Sequence, residues 1–196
     1  MSNQTVGILL AGGMSRRFGT PKAFQDWNGI PFYEYVYTAL QAVCDDIIIV
    51  TRPQLKRRFP DKYHTVVDEE VYAGCGPLAG IFTGMHQKEA DQYIVLPCDM
   101  PLINGDIMRA LFRKHQLSVT VVRTKEELQP LVSIWDKTCE PILENALIKQ
   151  QYGMKKLLTK LQVHTVSDIS LTGEPGRFMN INTTRQLKEM TEWLMS

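Results

Sequence analysis

Short apolar, β-branched runs alternate along this chain with longer segments whose apolar residues recur at helical spacing. The runs at 6–11, 46–51, 65–67, 93–96, 119–122, 131–135 and 163–166 predict strands. Several are almost continuously apolar, as expected of strands buried on both faces of a parallel sheet. Between them, Phe32, Val36, Ala39, Leu40 and Val43 share one helical face, as do Ile107, Met108, Leu111 and Phe112, with Asn104 placed as an N-cap. Successive βα units of this kind predict a three-layer α/β/α fold around a mostly parallel, Rossmann-like central sheet. The last third differs. Helices are expected around 140–149 and 154–161, then a strand, a polar loop with Gly and Pro over 167–176, and a final helix. Thr183 and Gln186 form a capping box for that helix, and Leu187, Met190 and Leu194 are expected to dock it on the sheet.

At 196 residues, with no internal repeat or low-complexity segment, the pattern predicts one domain spanning 1–196. Lys plus Arg number 22 against 21 Asp plus Glu, which argues against a polyanion binder and so against nucleic acid as a partner. No basic segment precedes the apolar stretch 6–11, which is too short for a signal or a membrane span. A cytoplasmic protein without a membrane partner is expected. Cys44, Cys75, Cys98 and Cys139 show no CxxC or Cys/His spacing, so they predict neither a zinc site nor a disulfide framework.

The chemistry concentrates after the first run. Leu10-Ala11-Gly12-Gly13-Met14-Ser15-Arg16-Arg17-Phe18-Gly19-Thr20-Pro21-Lys22 carries three glycines, two arginines and a lysine at the carboxyl end of a buried strand. Ligands of open α/β sheets bind there. Glycines let backbone N–H groups approach a polyphosphate, and Arg and Lys add fixed positive charge. Neither GxxxxGK[ST] nor GxGxxG is present.

Asp99 follows another apolar run and lies between Pro97 and Pro101, which keep the chain out of a helix and present the carboxylate at a strand end. Mg²⁺ takes one or two carboxylates together with substrate phosphates and water, so Asp99 alone suffices as a protein ligand. Asp68 ends a strand before Glu69 and Glu70. Gly74, Gly76 and Gly80 around Pro77 suit either a tight turn beside a ligand or close helix–sheet approach. Asn180 and Asn182 alternate before Thr183 and read locally either as turn residues or as amides that suit a phosphate or metal-bound water. The four histidines stand apart, and Lys56-Arg57-Arg58 reads as a solvated helix face.

The segment LAGGxSxRxGxxK, present from Leu10 to Lys22, resembles the signature of the sugar-nucleotidyltransferase-like superfamily, with the nucleotide-diphospho-sugar transferase type of fold. Its double glycine and SxRxG are most similar to the molybdenum cofactor guanylyltransferases. Val66-Val67-Asp68 with Gly76-Pro77-Leu78-Ala79-Gly80 resembles their guanine and ribose segment. Leu96-Pro97-Cys98-Asp99-Met100-Pro101 resembles their metal motif, and Asn180-Ile181-Asn182-Thr183 their C-terminal NxNT. Met14 stands where many members carry Arg, and Thr51-Arg52-Pro53 replaces an Asn-containing turn.

The resemblance implies transfer of GMP from GTP to molybdopterin, or its metal-loaded form, with Mg²⁺ as cofactor and pyrophosphate as the second product. It implies a GTP site at Leu10, Ala11, Gly12, Gly13, Ser15, Lys22, Asp68, Gly80 and Asp99. Arg17, Lys22 and Asp99 would be catalytic, Asp99 the metal ligand, and Asn180 and Asn182 acceptor contacts. Protein partners would be those delivering the pterin and the molybdoenzymes receiving the product. The same residues leave open a CTP-dependent or sugar- or isoprenoid-phosphate nucleotidyltransferase, and a GTP-binding module without catalysis.

Overall fold

The structure, a computed structural model, describes residues 3–13 and 20–195. The first strand, β1 (Thr5–Leu10), is buried along its length except at Leu10. It lies between β4 (Asp46–Thr51) and β6 (Gln92–Pro97), parallel to both. Outside β4 runs β5 (His64–Val67), also parallel. On the other side, β8 (Leu128–Asp136) pairs antiparallel with β6 and with β7 (Val119–Arg123), and β9 (Val163–Ser167) adds parallel to β7. The seven-stranded order is β5-β4-β1-β6-β8-β7-β9, and only β8 runs against the rest. The expected mostly parallel central sheet is therefore present.

Alternating side chains of the central strands feed two cores. One face packs Leu9, Ile47, Ile49, Ile94 and Leu96 against α1 (Phe32–Gln41) and α4 (Gly105–Arg113). The other packs Val6, Ile8, Ile48, Val50 and Val95 against α3 (Pro77–Gln87), α5 (Glu140–Ile148) and α6 (Met154–Leu158). This is period-2 alternation with both faces covered, which is why the strands read as continuous apolar runs. Asn104 caps α4 as its position predicts, its side chain accepting from the Ile107 N–H at 3.0 Å.

Elsewhere the structure departs from the sequence-based expectation. Residues 26–31 form a small antiparallel hairpin, β2 (Asp26–Trp27) with β3 (Ile30–Pro31), turned by Asn28 and Gly29 at positive φ. A short α2 (Pro53–Lys56) follows β4. The polar stretch 167–176 contains α7 (Ile169–Thr172), capped by the buried Asp168 carboxylate, which accepts from the Ile169 N–H at 2.8 Å. β8 starts earlier than expected, and the register shift opposite Val121 and Val122 accommodates Pro130 in the strand.

The final helix, α8 (Thr184–Met195), is capped by Thr183, whose Oγ accepts from the Gln186 N–H at 3.2 Å, while Gln186 reaches back to the Asn182 N–H. It does not dock on the sheet. Met190 and Leu187 join Phe32, Leu102 and Ile181 in a separate cluster, and Leu194 is 37% exposed.

Candidate active site

From β1 the chain proceeds outward to β4 and β5, then crosses back over β1 to β6. Strand order thus reverses at β1, the place where open α/β sheets bind ligands beyond their carboxyl ends. A cleft of about 470 Å³ opens there. Leu10, Gly12 and Gly13 line it from the end of β1, Val50, Thr51 and Arg52 from β4, Asp68 from β5, and Pro97, Cys98 and Asp99 from β6. Lys22, Gly74, Gly76, Gly80 and Asn180 complete its polar and glycine rim.

Backbone hydrogen bonds continue the strands into this rim. The Ala11 N–H donates to the Val50 carbonyl at 2.8 Å, and the Cys98 N–H to the Leu10 carbonyl at 3.1 Å. Ala11 itself is buried behind the cleft, its carbonyl accepting from the Thr51 hydroxyl at 3.1 Å. A Cβ at Gly13 would meet nothing within 4 Å among the described residues, whereas one at Gly12 would lie 3.6 Å from the Arg52 Cγ.

At the β6 end, Lys22 and Asp99 meet from positions far apart in sequence. Lys22 Nζ lies 2.7 Å from Asp99 Oδ2 and also donates to Asn182 Oδ1. Both side chains are mostly withdrawn from solvent, at 21% and 16% exposure. Asp99 Oδ1 is buried and has no hydrogen-bond partner among the described residues. The Ile181 N–H donates to the Asp99 carbonyl at 2.8 Å, and Ile181 is anchored in the cluster under α8. Asn180 reaches the cleft and Asn182 reaches Lys22, although their segment is not a strand. Asp99 plays no part in capping α4.

On the far side, Asp68 accepts from the Thr83 hydroxyl at 3.1 Å. Burial pushes its carboxyl above the ordinary carboxylate range, and the Thr83 hydrogen bond offsets part of that rise. Gly74 and Gly76 both hold positive φ at the start of α3, so the glycines before Pro77 form a tight turn bordering the cleft. Gly80, inside α3, takes the second role left open by the sequence, close helix–sheet approach. It lines the cleft, and a Cβ there would come 2.8 Å from the Leu10 Cδ2. The Cys98 thiol is pushed far up by burial and by the Asp99 carboxylate, so it stays protonated.

The structure brings together Leu10, Gly12, Gly13, Lys22, Asp68, Gly80, Asp99 and Asn180 at one cleft, with Ala11 behind it and Asn182 holding Lys22. Ser15 and Arg17 lie outside the described residues. Sequence reasoning missed Thr83, which orients Asp68. Its spacing from Gly76 and Gly80 on the sheet-facing side of α3 was the available signal. Among the described residues no group of three or more His, Cys, Asp or Glu side chains could hold a metal by itself.

Residues 7–166 match the model of the MobA-like NTP transferase domain family. A protein of Geobacillus sp. (strain WCH70), named "Probable molybdenum cofactor guanylyltransferase", is 37% identical over 193 residues, 96% of this chain and 98% of its own. A Bacillus subtilis (strain 168) protein of the same name is 37% identical over 182 residues, 91% and 90% of the two chains. In structure, molybdopterin-guanine dinucleotide biosynthesis protein A from Archaeoglobus fulgidus aligns with TM-score 0.79 at 22% identity, covering 98% of this chain and 99% of that one, a likeness of fold. The family match over most of the chain and the near full-length relatives agree with the cleft at the β1 switch point: this chain belongs to the MobA-like NTP transferase family and is a nucleotidyltransferase.

Proposed function

We propose that this nucleotidyltransferase moves GMP from GTP onto the terminal phosphate of molybdopterin or its metal-loaded form, releasing pyrophosphate. The observation that carries this reading is the pairing of Lys22 with Asp99 at the mouth of a glycine-rimmed cleft, in a chain whose relatives bear the guanylyltransferase name. The cleft has the size of a small-molecule site.

The donor set suits a divalent cation. Asp99 Oδ1 is a buried oxygen with lone pairs to give, and Mg²⁺ needs only one or two carboxylates when phosphates and water complete its shell. Asp99 would hold the ion, which when bound supplies positive charge against the phosphate oxygens. Gly12 and Gly13 let the chain approach the triphosphate closely, and Lys22 adds an ammonium whose position Asn182 and Asp99 hold. Arg17 contributes further charge in this reading. Asp68 contacts the nucleoside, and Asn180 with Asn182 meets the acceptor phosphate.

An acceptor phosphate oxygen forms the new bond to the α-phosphorus as the bond to the β-phosphate oxygen breaks, and pyrophosphate carries away the electron pair. The nucleophile is already anionic, so alignment and charge stabilisation suffice without a general base. The protonated Cys98 thiol offers no competing nucleophile. A cytoplasmic setting, with direct hand-off from pterin-delivering proteins and to acceptor molybdoenzymes, fits this chemistry. No helix among the described residues is long and apolar enough to cross a membrane.

The test is pyrophosphate release by purified protein with Mg²⁺ and molybdopterin, comparing GTP with CTP, ATP and UTP. Release with GTP alone, dependent on the pterin, is expected. Preference for CTP makes the enzyme a cytidylyltransferase. Turnover only with a sugar or isoprenoid phosphate replaces the acceptor, and nucleotide binding without release from any acceptor makes the protein a sensor.

A further inference from the structure

We propose that Gln186 is a positioning residue for nucleotidyl transfer: from the first turn of α8 it holds Asn182, and through Asn182 it sets the place of the Lys22 ammonium. This rests on the role given to Lys22 above. Gln186 stands three residues after Thr183, whose Oγ accepts from the Gln186 N–H at 3.2 Å, so it occupies the third helical position of a capping box. In that motif the side chain at this position ordinarily accepts from the N–H of the capping residue itself. Here it reaches one residue further back. Gln186 Oε1 accepts from the Asn182 N–H at 2.7 Å, while the Thr183 hydroxyl lies 3.4 Å from the same oxygen. The shorter bond goes to the residue at the site rather than to the cap.

That bond helps decide where the Asn182 carboxamide points. Asn182 lies outside any strand, so no ladder partner takes its N–H, and Gln186 supplies the acceptor. Asn182 Nδ2 donates to the Asn180 carbonyl at 3.3 Å, which turns Oδ1 toward Lys22 Nζ. Main-chain N–H, amide nitrogen and amide oxygen are each engaged, and together they select one orientation of the amide. The helix that carries Gln186 is itself fixed, because Leu187 and Met190 pack with Phe32, Leu102 and Ile181. Gln186 thus converts the docking of α8 into a position for a lysine 160 residues from Asn182 in sequence.

The chemistry requires such a device. A lysine ammonium is a point charge on a flexible four-carbon stem, and it stabilises a phosphate oxygen only from the right place. A displacement of 1 Å costs a rate about 10²-fold where alignment carries the catalysis.

The experiment measures kcat and KM by pyrophosphate release with GTP, Mg²⁺ and molybdopterin for the wild type, Gln186→Leu, Gln186→Glu, Asn182→Ala, the Gln186→Leu/Asn182→Ala pair and Lys22→Ala. Leucine keeps the helix propensity without an acceptor, and glutamate keeps the acceptor. Gln186→Leu is expected to lower kcat by about tenfold or more with KM for GTP within about twofold, and Gln186→Glu to recover most of the loss. In the Asn182→Ala background the change to leucine is expected to cost nothing further, because no carboxamide is left to orient. Amide hydrogen exchange at Asn182 reads the bond directly: slow in the wild type and Gln186→Glu, faster in Gln186→Leu. A wild-type kcat in Gln186→Leu overturns the proposal, as do losses that multiply in the double variant and follow the melting temperature, the result of a structural role alone. Exchange at Asn182 that is equal in all three proteins overturns it as well. Undiminished turnover in Lys22→Ala overturns the role of Lys22 and this inference with it, whereas turnover lost in Lys22→Ala and kept in Gln186→Leu overturns this inference alone.

Discussion

At the scale of single residues, the site depends on two half-buried carboxylates in different surroundings. Asp99 has one oxygen tied to Lys22 and the other without a partner among the described residues, an arrangement suited to receiving a cation. Asp99→Ala is expected to abolish metal-dependent turnover, and Lys22→Ala to lower kcat by about 10²–10³, the usual cost of removing a group that stabilises transition-state charge. Unchanged circular dichroism alongside steady-state kinetics checks that both variants keep the fold. Asp68 makes a prediction about pH. Burial raises its folded-state pKa above the unfolded value, so the ionised carboxylate opposes folding at pH above that raised pKa, and the penalty fades as pH falls toward the ordinary carboxylate range. Asp68→Asn is therefore expected to melt higher than the wild type at neutral pH, by a margin that narrows on acidification, while its KM for the nucleotide rises. A margin that widens toward low pH would contradict the sign.

At the scale of elements, α3 is set on the sheet by the absence of side chains. A Cβ at Gly84 would lie 2.7 Å from Ile8 Cγ1 and Cδ1, whereas one at Gly80 would meet the flexible tip of Leu10. Gly84→Ala is expected to cost about 1–3 kcal/mol, the range for overpacking a filled core, with KM for the nucleotide little changed. Gly80→Ala is expected to cost less stability and more affinity, because a displaced Leu10 moves into the cleft. Urea unfolding and nucleotide titration on the two variants separate these effects. The hairpin β2–β3 shows how a local signal can be present and still be overlooked. Asn28-Gly29 is a strong turn pair, but it joins strands of only two residues each, too short to show alternation.

At the scale of the whole molecule, the carboxyl-terminal segment closes the site from outside the sheet. Ile181 is buried with Phe32, Leu102 and Met190, its N–H holds the Asp99 carbonyl, and the neighbouring Asn182 holds Lys22. Ile181→Ala is expected to cost about 2–5 kcal/mol, as for other large-to-small core changes, and to lower turnover of the molecules that remain folded. Leu147→Ala, equally buried in α5 but away from the cleft, is expected to lose comparable stability with turnover per folded molecule unchanged. Calorimetry with kinetics well below the melting temperature distinguishes the two. If both lose turnover alike, general loosening rather than the Ile181 link is responsible.

Apart from the early start of β8, the chain by itself determined the strand positions in the central sheet, the apolar faces of α1 and α4, the Asn104 cap, the glycines after β1 and Asp99 at the end of β6. These follow from periodicity, capping chemistry and turn residues, which act over a few neighbouring positions. Strand order, the reversed direction of β8, the meeting of Lys22 with Asp99 and Asn182, and the placement of Arg52 beside Asp68 were decided only by tertiary structure. So was the docking of α8, whose apolar stripe was legible while its partner was not. Leu187 and Met190 pack on Phe32, Leu102 and Ile181 instead of the sheet. A hydrophobic stripe specifies burial without direction or address, and a polar side chain finds its partner only when the whole set of elements has packed.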